Sequence, residues 1–126
     1  MTTAKKISIP IKPAEQVDEE ARLLVSPAEL ATRLKSDSKL VLIDVRSELE
    51  HRMLRIEGAK LATRALVEEI FSKWDKNIPI AVYDHKGRDG VNAAKALVAR
   101  GFTDAKALAG GIDAWSQAVD PLLPRY

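Results

Sequence analysis

One stretch constrains this chain more than any other. Ile80-Ala81-Val82-Tyr83 is a continuous apolar run that stops at Asp84-His85-Lys86-Gly87-Arg88-Asp89-Gly90. Val91-Asn92-Ala93-Ala94-Lys95-Ala96-Leu97 follows at once, rich in strong helix formers. The order predicts a buried strand, a tight polar loop and a helix N-terminus. Backbone N–H groups converge in such a loop, and the helix dipole adds positive potential, so the loop is built to receive an anion. Yet its first residue, Asp84, is itself an anion.

The rest of the chain repeats the alternation. Ser26-Pro27-Ala28-Glu29 reads as a helix start, with Ser26 as cap, Pro27 at the first helical position and Glu29 closing a capping box. It follows the short apolar run Leu23-Leu24-Val25. Leu40 to Ile43 is continuously apolar, as a central buried strand should be, and Asp44-Val45-Arg46-Ser47 lies beyond its end. Glu48 to Lys60 reads as less regular. Leu66, Val67, Ile70, Phe71 and Trp74 share one stripe of a helix from about Thr63 to Trp74. A helix is expected from about Val91 to Arg100 with Gly101 at its C-terminal end. Ala105 to Leu108 reads as a last strand, and Ile112 to Ala118 as a last helix anchored by Trp115. Pro121 and Pro124 end regular structure.

Strands alternating with helices predict an α/β fold, a three-layer sandwich with a central, mostly parallel five-stranded sheet flanked by helices. Ligands in such folds bind beyond the C-terminal strand ends, where Asp44 and Asp84 both fall. Residues 1–21 differ in character. Ile7, Ile9 and Ile11 alternate with polar or proline positions before an acidic run, so 1–21 is expected to be an N-terminal extension, partly extended or disordered, with the domain over 22–126.

Composition removes whole classes of function. The 126 residues contain no cysteine, which excludes disulfides, thiolate metal sites and thiol nucleophiles. A formal net charge of +2, with no Lys/Arg block, does not fit nucleic acid. No apolar run approaches the roughly 20 residues of a membrane span, and no signal peptide is seen, so a cytoplasmic setting is expected. No cofactor and no metal is expected.

Three segments resemble the rhodanese-like domains. Leu42-Ile43-Asp44-Val45-Arg46 is similar to that family's strand ending in Asp-x-Arg, with Glu50 downstream and Ile56-Glu57-Gly58-Ala59 matching its I-x-G-A turn. Ala81-Val82-Tyr83 precedes a six-residue loop and an Ala-rich helix. Leu108-Ala109-Gly110-Gly111-Ile112-Asp113-Ala114-Trp115 is close to the ending L-x-G-G-x-x-A-W. Together they cover about residues 22 to 124. The resemblance implies a sulfurtransferase whose loop cysteine carries sulfane sulfur as a persulfide, stabilised by the surrounding N–H groups. Here the family's C-x-x-G-x-R-S is Asp84-His85-Lys86-Gly87-Arg88-Asp89-Gly90: Asp84 replaces the cysteine, Arg88 falls one place early, and Asp89 and Gly90 hold the Arg and Ser positions. Gly87 is kept. Arg55 stands where the family usually has His.

Persulfide chemistry needs a thiol, and a carboxylate cannot carry sulfane sulfur, so sulfur transfer by this chain alone is excluded. The expected role is a non-catalytic binding or regulatory module, with Asp84 accepting the loop's own N–H groups in place of the persulfide. His85, Lys86 and Arg88 offer donors and Asp84 and Asp89 acceptors, which suits a protein partner or a small polar ligand. Asp44 and Arg46 are expected to pair or cap loops beside the site, Trp74 and Trp115 to sit in the core, and His51 to be solvated. Two alternatives stay open: an enzyme using Asp84 in phosphoryl transfer or hydrolysis, and an accessory protein in sulfur transfer. Asp84, His85 and Asp89 are too close in sequence to converge well on a metal.

Overall fold

The computed structural model describes residues 20–126. The expected extension over 1–21 lies almost wholly outside the described residues.

Five strands form one sheet: β1 (Leu24–Val25), β2 (Val41–Asp44), β3 (Lys60–Leu61), β4 (Ile80–Tyr83) and β5 (Ala105–Leu108). Their order is β1-β5-β4-β2-β3, and every pairing is parallel. Parallel neighbours need crossovers, and helices supply them. These are α1 (Pro27–Ser36), α2 (Glu48–Met53), α3 (Arg64–Lys73), α4 (Arg88–Ala99) and α5 (Gly111–Ala118). No helix among the described residues is long and apolar enough to cross a membrane.

The all-apolar strand in the middle of the sheet divides its side chains between two cores. Ile80 and Val82 of β4 face a cluster that includes Ile70 of α3 with Ala94 and Leu97 of α4. Ala81 and Tyr83 face the other, with Leu30 of α1 and Ile112 and Trp115 of α5. All four β4 residues are buried, which is why this strand carries no polar alternation. The three-layer sandwich follows.

The helix ends are written in the sequence. Ser26 and Glu29 form the expected capping box, with Pro27 in the first turn. Two expectations need correction. The region from Glu48 to Lys60 is more regular than its composition implies, because Ser47 and Glu50 make a second capping box that starts α2. The helix after the loop begins at Arg88 rather than Val91, since Gly87 caps it in a left-handed conformation and lets the helix start early.

Candidate functional site

The loop is short and fully wound. Asp84 to Gly87 leave β4, and Arg88, Asp89 and Gly90 already form the first turn of α4. Gly87 has φ +108°, and a Cβ there would lie 2.9 Å from the backbone N of Gly110, so both conformation and contact demand glycine. The Asp84 side chain folds back into the turn. Its Oδ1 accepts the Gly87 N–H at 2.7 Å and its Oδ2 accepts the Asp89 N–H at 2.7 Å. Asp84 is only 6% exposed. The Asp84 carboxylate therefore takes two backbone N–H groups at a helix N-terminus, where negative charge is favoured.

The turn from β5 into α5 holds the loop from outside. Asp84 O accepts the Ile112 N–H at 2.9 Å, and His85 O accepts the Asp113 N–H at 3.0 Å. A Cβ on Gly111 would meet His85 O at 2.5 Å and Asp84 O at 2.6 Å. Glycine at position 111 is thus required by this close approach. Asp113 beyond it faces cations: Arg125 hydrogen-bonds it, Lys86 and His85 add their charge, and its carboxyl is held below the usual range.

A second polar cluster lies at the end of β2, beside the loop. Asp44 is fully buried. Its Oδ1 accepts from Arg46 N at 2.9 Å and Arg46 Nε at 3.0 Å. Its Oδ2 accepts from Arg46 Nη2 at 2.7 Å, Tyr83 Oη at 3.0 Å and His51 Nδ1 at 2.9 Å. An ionised carboxylate only accepts, so Nδ1 is the protonated nitrogen of His51. Burial alone would push the Asp44 carboxyl up, but the hydrogen bonds from Arg46 and His51 outweigh it and hold the carboxyl low. Burial opposes the charge on Arg46 too, yet its bonds to Asp44 and Tyr126 raise it above its ordinary value. Tyr83, with no exposed surface, has its phenol pushed up by burial. Arg46 Nη2 also donates to Leu54 O. The network ties β2, α2 and β4 together directly behind the loop.

The sequence model of the rhodanese-like domain family matches residues 26–118. The chain belongs to the rhodanese-like family. It is 35% identical over 104 residues to a probable adenylyltransferase/sulfurtransferase, MoeZ, of Mycobacterium tuberculosis, a match over 81% of this chain and 26% of that protein. The chain thus spans about a quarter of the length of that relative. The thiosulfate sulfurtransferase GlpE of Coxiella burnetii is 31% identical over 85 residues, covering 68% of this chain and 79% of GlpE. Among solved structures, the rhodanese-like domain of Anabaena Alr3790 superposes with a TM-score of 0.68 at 25% identity, covering 77% of this chain and 75% of that one.

Against that rhodanese-like background the expected residues separate into groups. Asp84, Gly87 and Asp89 come together in the cradle through one side chain and two backbone N–H groups. Lys86, Arg88 and the Asp89 side chain lie on the exposed rim, with His85 half-buried between rim and body. Gly90 is buried in the first turn of α4. Asp44 and Arg46 pair as expected, behind the loop. Arg55 does not join them: it is exposed and donates to His51 O at 3.1 Å. His51 is the clear correction. It is a bonded member of the Asp44 network with a side chain 13% exposed, because the second capping box turns α2 so that position 51 faces β2. Tyr83 and Tyr126 were not singled out by sequence at all. The Ser47-x-x-Glu50 spacing was the available signal for α2, and hence for His51.

Proposed function

We propose that this chain is a non-catalytic binding or regulatory module on the rhodanese-like fold. One observation carries the reading: the Asp84 carboxylate fills the cradle, with Gly87 and Asp89 donating to its two oxygens. A persulfide forms only on a thiol, and none of the 126 residues is cysteine. With both oxygens engaged and little exposure, Asp84 is better placed to fix the loop than to attack a phosphoryl group. The exposed Lys86, Arg88 and Asp89 side chains on its rim then offer a polar contact surface of mixed charge.

The reading has direct tests. Pure protein given thiosulfate and cyanide should show no sulfur transfer above the uncatalysed rate; robust turnover sinks the proposal. Acyl-phosphate labelling of Asp84 in Mg²⁺ would establish the hydrolase or phosphoryl-transfer alternative in its place. Affinity capture with wild type and with Lys86→Ala/Arg88→Ala should return different partners, and identical sets would remove the rim as the contact surface. Asp84→Cys probes the cradle itself. Its thiol should react below the usual cysteine value of about 8.5. On treatment with thiosulfate the S–S bond breaks, sulfane sulfur passes to Sγ and sulfite leaves, so intact mass should rise by one sulfur atom.

A further inference from the structure

The segment after α5 does something the fold does not require. It leaves the helix at Ala118, runs without regular structure from Asp120, and returns across the loop. Leu123 packs into the core cluster of Trp115 and Ile112, and Arg125 pairs with Asp113, Nε to Oδ1 at 2.9 Å. Tyr126 then lies on the loop. Its ring stacks on that of His85, with centroids 3.8 Å apart and planes 1° from parallel. Its backbone oxygen accepts from His85 Nε2 at 2.7 Å. Its hydroxyl accepts from Arg46 Nη1 at 2.7 Å and donates to Glu50 Oε2 at 2.7 Å.

The two groups that bond the phenol oxygen are positioned without it. The Arg46 side chain, only 2% exposed, is fixed by Asp44. Glu50 is fixed by the Ser47 capping box through its other oxygen. The His85 backbone is fixed on Asp113. A site whose donor and acceptor are already held loses little ordering entropy when it is filled. The segment runs along the surface: Leu122 is 91% exposed and Tyr126 half exposed.

We propose that His85, Arg46 and Glu50 form a phenol-recognition site beside the loop, that Tyr126 fills it in cis as a strap, and that its occupant in trans is a tyrosine-bearing peptide segment. The chemistry selects that class. Arg46 donates and Glu50 accepts, so the site reads a hydroxyl in both senses, and His85 requires an aromatic plane beneath it. Phenylalanine leaves the buried Arg46 donor without its partner. Phosphotyrosine brings a dianion against Glu50. The strap rests on the reading of this chain as a binding module, and gives that module a means of control: a peptide must displace Tyr126 to dock.

The test uses the full chain. In Tyr126→Ala the His85 ring resonances should shift, because the stacked ring is gone, while Tyr126→Phe keeps most of that effect; unchanged His85 resonances in Tyr126→Ala overturn the strap. A fluorescent acetylated peptide of sequence Leu-Pro-Arg-Tyr is then titrated into wild type and into Arg125→Ala/Tyr126→Ala. The variant should bind at least about tenfold more tightly than wild type, whose site is filled in cis. The same peptide ending in phenylalanine should bind the variant at least about tenfold more weakly, from the loss of hydrogen bonds to two charged groups, and the phosphotyrosine form should also be weaker. No binding to the variant, equal binding to wild type, or equal binding of the phenylalanine peptide overturns the proposal. These outcomes are independent of partner capture at Lys86 and Arg88: a silent titration beside rim-dependent capture removes the strap alone, and the converse removes the rim reading alone.

Discussion

Asp44 and Asp84 occupy nearly equivalent places and are held in opposite ways. They end the neighbouring parallel strands β2 and β4, where Asp44 is in register with Tyr83, one residue before Asp84. Both are buried, at 0% and 6% exposure. Asp44 is surrounded by side chains: a guanidinium, an imidazole and a phenol. Asp84 is surrounded by backbone, accepting two N–H groups at the start of α4. One carboxylate is a structural counter-ion that welds α2 to the sheet. The other sits at the start of a helix and takes two of its backbone N–H groups. The same residue type at the same level of the sheet thus serves as a clamp in one place and as a plug in the other, and the difference lies wholly in what donates to it.

The largest test of that contrast removes the charge from the clamp. Asp44→Asn leaves Arg46 buried without its counter-ion, which costs about 3–5 kcal/mol; urea unfolding should show it. The acid limb gives the sign. The Asp44 carboxyl is held low in the fold, so its stabilising contribution is complete above the unfolded value of about 3.9 and is lost as pH falls through the lower folded value. The gap between wild type and Asp44→Asn should therefore narrow below about pH 4. A gap constant through that range would mean that the pairing does not rest on this ionisation.

Gly111→Ala comes next, and asks whether the cradle is held from outside. A side chain at φ +66° meets Asp84 O and His85 O at under 3 Å. Left-handed strain alone costs about 1–3 kcal/mol, and the backbone clash adds to it, so a loss of at least about 2 kcal/mol is expected in thermal or urea unfolding. A near-neutral result would show that the glycine turn does not brace the loop. A smaller loss is expected on emptying the cradle. Asp84→Ala leaves the Gly87 and Asp89 N–H groups without an acceptor, at about 1–3 kcal/mol, and Asp84→Asn, which keeps one carbonyl oxygen, should cost less. If Asp84→Asn costs as much as Asp44→Asn, the distinction between clamp and plug fails.

The sequence carried the frame of this molecule more fully than its site. The strands at 80–83 and 105–108, the capping box at Ser26 and the core position of Trp115 were legible because each depends on neighbours within a few residues, or on a run of apolar side chains. So was the cradle, since strand, glycine and helix are contiguous. What escaped depends on separation. Tyr126 meets His85, Arg46 and Glu50 across 41 to 80 positions, and no local spacing announces such a contact. His51 was hidden differently. Its partner is only seven residues away, but its direction depends on α2, whose start at Ser47 was written in the same S-x-x-E grammar as the helix at Ser26. Gly110 and Gly111 could be placed in a turn from sequence, but the carbonyls that Gly111 makes room for belong to another loop.

The smallest effect on stability is the one that isolates function. Lys86 and Arg88 are exposed on the rim, and neither takes part in the hydrogen bonds that hold Asp84. Replacing both with alanine should change unfolding free energy by no more than about 0.5 kcal/mol, as expected for surface positions away from packing and caps. Lys86 contributes to the field that keeps the Asp113 carboxyl low, behind the larger effect of Arg125, so even that electrostatic change is minor. A variant that folds as wild type does and still loses a partner has lost a contact surface. If it is instead destabilised by about 1 kcal/mol or more, the rim is part of what shapes the cradle, and the separation between a fixed plug and a free rim has to be given up.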